Sequence, residues 1–267
     1  MPRSALQELA ALTGESLWAI DEKRLAAPAN QNAPEPAKSI AVVNLQGPLI
    51  AKSREGYYRT IPGMDAVQRA VLSAAYNPEV AAIVLNVDSP GGTVAGTMET
   101  AAAVREAAAK KPVIAMVDTL GASAAYWIVS QASEIVLAPS AEVGSIGVLL
   151  VHWDESEFLK MVGSKVTIVR SGDHKAEGNP FEPLSDETKA YFQGLVDQSH
   201  AAFVKDVAAG RRVSQAAVRE NFGKGRTLDA QAAVAAGMAD RVATMREVLN
   251  GLIKPVGARR SRRSFAF

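Results

Sequence analysis

The chain has 267 residues, 48% of them hydrophobic, with 29 basic and 28 acidic side chains and a formal net charge of +1. That is enough apolar material for one large core, and no net field selects nucleic acid or a membrane surface. There is no cysteine, which excludes disulfides, thiolate catalysis and cysteine metal sites. The three histidines, His152, His174 and His200, lack metal-ligand spacing, so neither a metal nor a cofactor is expected.

Residues 1–24 place Leu6, Leu9, Leu12, Leu17 and Trp18 at helical spacing, and a proline-rich linker follows over 27–38. The N-terminus has no sustained apolar stretch and carries Glu8 and Glu15, unlike a signal peptide. Apolar runs such as 146–151 are too short to cross a bilayer. A soluble, cytoplasmic protein is the expectation.

Strands are predicted over 40–45, 81–87, 113–117, 135–137, 166–169 and 241–243. Helices are predicted over 64–75, 94–109, 185–208 and 230–236, with a turn into a helix over 121–129. Residues 81–87 are almost wholly apolar, as a buried parallel strand requires. Asn77-Pro78 stops the helix before it, and Ser185 is an N-cap with Asp186 and Glu187 in the first turn. Alternating strands and helices imply an α/β fold with right-handed crossovers.

Three elements carry chemistry. Asp88-Ser89-Pro90-Gly91-Gly92 follows a buried strand and precedes a helix, where ligands bind in parallel sheets. Its glycines allow close backbone approach and free N–H groups for an anion, as in half of an oxyanion hole; an ordinary turn has the same composition. Ser123, in Gly121-Ala122-Ser123-Ala124-Ala125-Tyr126, has the small neighbours that a nucleophile at a strand–turn–helix corner needs. The N–H of Ala124 would be a second oxyanion donor, although Ser123 could equally be a simple helix cap. Lys175 lies in Ser171-Gly172-Asp173-His174-Lys175-Ala176-Glu177-Gly178. A solvated lysine, with a pKa of about 10.4, must lose roughly 3–5 kcal/mol of charge stabilisation to act as a base near neutrality. The alternative is a surface lysine on a glycine loop. His174 adjoins it and competes for the base role, and these residues alone do not rank the two.

In their order, these motifs and Gly144-Ser145-Ile146-Gly147-Val148 resemble the signal peptide peptidase A family over about residues 38–245. The resemblance implies a crotonase-like (Clp-protease-like) α/β fold, with a parallel sheet and helices, and a Ser-Lys dyad. Ser123 matches the nucleophile, Lys175 the general base 52 residues later, and Ser145 a lysine-orienting serine. Gly92 and Ala124 match the oxyanion donors, with the register between Gly91 and Gly92 open. The implied organisation is a helical extension and linker over 1–37, a peptidase domain over 38–245 and a C-terminal extension over 246–267.

The resemblance implies a serine endopeptidase acting on polypeptides through an acyl-enzyme, as a homo-oligomer. A single unit without a membrane anchor is similar to phage and prophage members that mature proheads, which points to capsid, portal or scaffold partners in the host cytoplasm or prohead. Alternatives are a signal-peptide-degrading peptidase, an acyl-CoA enzyme of the same fold, and an inactive capsid or scaffold protein. The basic run Arg259-Arg260-Ser261-Arg262-Arg263 is the one feature suited to nucleic acid; a solvated end is the plainer reading. Phe265-Ala266-Phe267 is a conditional candidate for occupying a neighbour's cleft as a product-like peptide.

Overall fold

The computed structural model describes residues 39–56 and 60–253. The expected N-terminal helix, the linker up to Lys38 and the basic tail lie outside them.

Seven strands form one sheet. They are β1 (Ser39–Gln46), β2 (Val80–Ser89), β3 (Val113–Ala122), β4 (Glu134–Leu137), β5 (Glu142–Gly144), β6 (Thr227–Asp229) and β7 (Arg241–Val242). The main path runs β1-β2-β3-β4-β7, parallel throughout. Strand β3 forks: Ile114 to Val117 pair with β4, whereas Leu120 to Ala122 pair with β5. Strand β5 also pairs with β6, antiparallel. The helices are α1 (Met64–Tyr76), α2 (Thr97–Ala108), α3 (Ala124–Val129), α4 (Ser156–Met161), α5 (Asp186–Arg211), α6 (Gln215–Asn221), α7 (Ala230–Ala235) and α8 (Met245–Ile253).

The central strands are apolar because both faces are covered. Ile83, Val84, Leu85 and Val87 of β2 and Val113, Ala115, Met116 and Val117 of β3 are completely buried. Each large aliphatic side chain hidden in this way contributes about 1.5–3 kcal/mol. Helix α8 spans the expected boundary at 245 and inserts Val248 into this core.

Helix α5 begins as expected: Ser185 Oγ accepts the N–H of Thr188. Its C-terminal half buries Phe203, Val204, Val207 and Ala208, while Tyr191 and Leu195 in the other half are exposed. Residues 166–169 correct the sequence expectation. They are irregular, and Val169 is 94% exposed. The β-branched run has strand propensity but neither a neighbouring strand nor a core face to pack on.

Residues 149–185 form a largely exposed arm of turns and irregular chain, with α4 as its regular element. Leu149, Val151, Trp153, Phe158, Met161 and Val162 are exposed along it.

Candidate active site

Three strands deliver the candidate residues at their carboxyl ends, the side of a parallel sheet where ligands bind. Gly91 and Gly92 follow β2, Ser123 follows β3, and Ser145 follows β5. The register holds these exits together: Ser89 pairs with Gly121, and Ala122 with Gly144.

Ser123 sits at the corner between β3 and α3, with φ +52°. A non-glycine residue in that region is strained by about 1–2 kcal/mol. The surroundings hold it there: its N–H donates to the Gly144 carbonyl at 2.8 Å, and its carbonyl accepts the N–H of Trp127 at 3.0 Å. Ser145, with φ +55°, is pinned by its own N–H to the Arg226 carbonyl at 2.9 Å.

The glycine loop packs directly against this corner. A Cβ on Gly91 would lie 2.7 Å from the Ser123 Cβ, and one on Gly92 would lie 1.9 Å from the Leu49 carbonyl oxygen. Both positions require glycine for close approach. The two N–H groups have different fates. Gly91 donates to Ser89 Oγ at 3.1 Å, and that fully buried hydroxyl donates on to the Gly47 carbonyl at 2.6 Å. Leu49 donates to the Gly91 carbonyl and accepts from Thr93, so Gly92 between them directs its own amide away from Leu49. Neither the Gly92 N–H nor the N–H of Ala124, the first residue of α3, has a hydrogen-bond partner among the described residues. Of the two glycines, Gly92 is therefore the one whose donor is free.

Ser89 holds this arrangement without facing the cleft. Ser89→Ala would strand the buried Gly91 donor, and a loss of about 1–3 kcal/mol in unfolding free energy is expected. Urea unfolding of the two proteins checks it.

Ser123, Gly92, Ala124 and Ser145 line one cleft of about 440 Å³. Its other lining residues include Val94, Thr97, Trp127, Val148, Leu149 and Phe203. Lys175 is not among them. It lies on the arm, exposed, within a run of turns from Asp173 to Gly178. The structure thus gathers four of the five candidates and leaves the lysine apart.

No other base takes its place. His174 is on the same exposed turn, with Nδ1 2.7 Å from Glu177 Oε1, and that hydrogen bond and charge hold the imidazole above its ordinary range. This favours the protonated form, in which the ring has no lone pair free to take a proton. His152 contacts the Asn179 carbonyl, and His200 lines a neighbouring pocket with Asp197 and Arg219. Among the described residues, no aspartate, glutamate, histidine or lysine lines the Ser123 cleft. Nor does any group of three or more acidic or histidine side chains suit a metal ion.

Sequence reasoning missed the cleft floor, and it named Ser89 within the glycine loop without its role in holding Gly91. Trp127 could have been found, since it stands one helical turn beyond Ser123. Phe203 arrives from a distant helix and has no local signal.

Comparison with known proteins adds to this picture. The model of the family described as "Peptidase family S49" matches residues 105–259. The "Capsid assembly protease C" of Escherichia phage lambda is 30% identical over 262 residues, covering 95% of this chain and 59% of that protein. A "Putative signal peptide peptidase SppA" of Enterococcus faecium is 30% identical over 179 residues, covering 66% of this chain and 51% of that protein. The chain spans between 40% and 59% of the length of the first curated relatives it matches. Among solved structures, a variant of ClpP1 from Listeria monocytogenes superposes with a TM-score of 0.51 at 12% identity, covering 80% of this chain and 94% of that one. That likeness is one of fold, and the fold is the Clp-protease-like α/β architecture expected from the motifs.

Proposed function

The chain belongs to peptidase family S49, and from that premise we propose that it hydrolyses peptide bonds with Ser123 as nucleophile and Lys175 as general base. The observation that carries the reading is the Ser123 corner. A strained serine faces a cleft beside two unpaired backbone donors, on Gly92 and Ala124. Strain of this kind persists where the surroundings over-determine it, and active sites are such places.

In the proposed reaction, neutral Lys175 takes the Ser123 hydroxyl proton as Oγ bonds to the substrate carbonyl carbon. The carbonyl π pair moves onto oxygen, and the N–H groups of Gly92 and Ala124 bind that oxyanion. The C–N bond then breaks, and the leaving nitrogen takes the proton back from Lys175. Water, deprotonated by the same amine, bonds to the acyl carbon; the C–Oγ bond breaks, and Ser123 Oγ takes the proton back from Lys175. Ser145, lining the cleft beside Ser123, is suited to accept a hydrogen bond from the lysine and orient it.

The base must reach Ser123 from outside its own cleft. Lys175 is carried on an arm whose apolar side chains face solvent in a single chain, and exposed apolar surface of this kind marks protein contacts. We therefore assign the lysine to a second copy: each cleft takes Ser123 from one subunit and Lys175 from the arm of the next. Entry into a largely apolar cleft would also strip water from the amine, which disfavours its charged form.

The name of one relative bears on the substrate class. The lambda protein aligned with 95% of this chain is named a capsid assembly protease, which supports capsid or scaffold proteins as the polypeptides cut.

A fluorophosphonate probe tests the nucleophile. The expected result is one adduct, located on Ser123 by peptide mass spectrometry and absent from Ser123→Ala. An adduct on another serine in an actively hydrolysing protein overturns the assignment.

A further inference from the structure

A single peptide group ties the Ser123 corner to a turn about a hundred residues further along the chain. The Gly144 carbonyl accepts the Ser123 N–H at 2.8 Å, and the Ser145 N–H donates to the Arg226 carbonyl at 2.9 Å. Both bonds belong to the Gly144–Ser145 peptide unit. That unit is planar, with its C=O and N–H pointing to opposite sides, so neither end turns without the other. A shift of the Arg226 carbonyl therefore passes to Ser145 and Ser123 together. Hydrogen bonds joined in this way also polarise one another.

The far end of the relay is built for close approach. Gly144 has φ +135°, and a Cβ there would lie 2.5 Å from the Arg226 carbonyl oxygen, so no side chain fits between them. Arg226 closes a turn by donating its own N–H to the Gly223 carbonyl at 2.9 Å. Within that turn Gly223, Lys224 and Gly225 have φ of +80°, +48° and +89°. Lys224 is tied back to Glu220 at 2.6 Å, and the turn is anchored by the buried ring of Phe222. On its other side, Thr227 pairs with Gly144 in register, and Thr227 Oγ1 donates to Glu142 Oε2 at 2.6 Å. Neither Thr227 nor Glu142 lines the Ser123 cleft.

Backbone strain is concentrated on this path. Among the described residues, four that are not glycine have positive φ, and three of them are Ser123, Ser145 and Lys224. Such strain persists only where the surroundings over-determine it. We propose that the turn over 223–226 is a positioning element for the reaction: through the Gly144–Ser145 peptide, the Arg226 carbonyl fixes Ser123 and Ser145 in one geometry. Thr227 is the positioning residue that holds the turn in register by its bond to Glu142. The proposal rests on the reading of Ser123 as nucleophile.

The test uses the full chain, a quenched fluorescent peptide that the wild type cuts, and hydrogen exchange at residues 120–123 read by mass spectrometry. Gly144→Ala is expected to speed that exchange and to lower kcat about 10²-fold with little change in KM, the scale of a misplacement of about 1 Å. Thr227→Val should act in the same direction by less, and Thr227→Ser should restore the wild-type values. The Thr227 pair carries the test if Gly144→Ala fails to fold. Asp229→Ala is the control for stability alone. It removes the side-chain cap of α7 at Ala232, so Tm should fall while kcat holds. Wild-type kcat or wild-type exchange in a folded Gly144→Ala or Thr227→Val protein overturns the proposal, as does an equal loss of kcat in Asp229→Ala. Ser123→Ala separates the two readings. Retained turnover there removes the nucleophile assignment, whereas the exchange measurement judges the relay without reference to activity.

Discussion

Mixed in equal amounts and allowed to assemble, Ser123→Ala and Lys175→Ala chains are expected to recover a peptidase activity that neither has alone. Each variant by itself should lose about 10⁴- to 10⁶-fold in kcat, the scale seen when a nucleophile or its base is removed. Recovery follows from geometry. The Ser123 cleft has no titratable base among its described lining residues, while Lys175 is exposed on the arm. In a ring of head-to-tail contacts, a random equal mixture would give intact serine–lysine pairs in about a quarter of the sites. Activity near that fraction supports a site shared between copies. If the mixture co-assembles and stays inactive, the lysine must serve the serine of its own chain through a different arm position. Wild-type turnover by Lys175→Ala would remove the lysine from the mechanism altogether.

Alanine at Gly92 is expected to cost about 10²–10³ in kcat, the price of misplacing one oxyanion donor. The added methyl would lie 1.9 Å from the Leu49 carbonyl oxygen, in backbone that cannot rotate away. The loop has to shift, and its N–H shifts with it. Gly91→Ala should give a comparable loss by another route. Its Cβ would lie 2.7 Å from the Ser123 Cβ, and its φ of +96° disfavours any side chain. Gly194 in α5 provides the control: a Cβ there meets nothing within 4 Å, and Gly194→Ala should be neutral or stabilising by up to about 1 kcal/mol. Circular dichroism and thermal melts alongside kcat separate a displaced donor from a failed fold. Wild-type kcat in a folded Gly92→Ala protein would take Gly92 out of the oxyanion hole.

Where a residue's role depends on its near neighbours in sequence, the chain was readable. The apolar run in β2, the Ser185 cap of α5 and the small residues around Ser123 each predicted the local structure that forms. The same local reasoning failed at residues 166–169, where strand propensity had nothing to pair with. It also missed the short β5–β6 pair, whose members lie more than eighty residues apart. Within the site, the choice between Gly91 and Gly92 could not be read from two identical side chains. The buried Ser89 hydroxyl occupies one amide and leaves the other free.

Residue types and their order by themselves determined the α/β class, the family resemblance and a short set of candidates at strand ends. Periodicity and turn chemistry act over a few residues and are written directly in the chain. The tertiary structure alone decided which candidates share a cleft. It put Ser123 beside Gly92 and Ser145, closed the floor with Phe203 from a distant helix, and left Lys175 on an exposed arm. These are contacts between segments far apart in the chain, set by sheet register and core packing, and no local pattern encodes them.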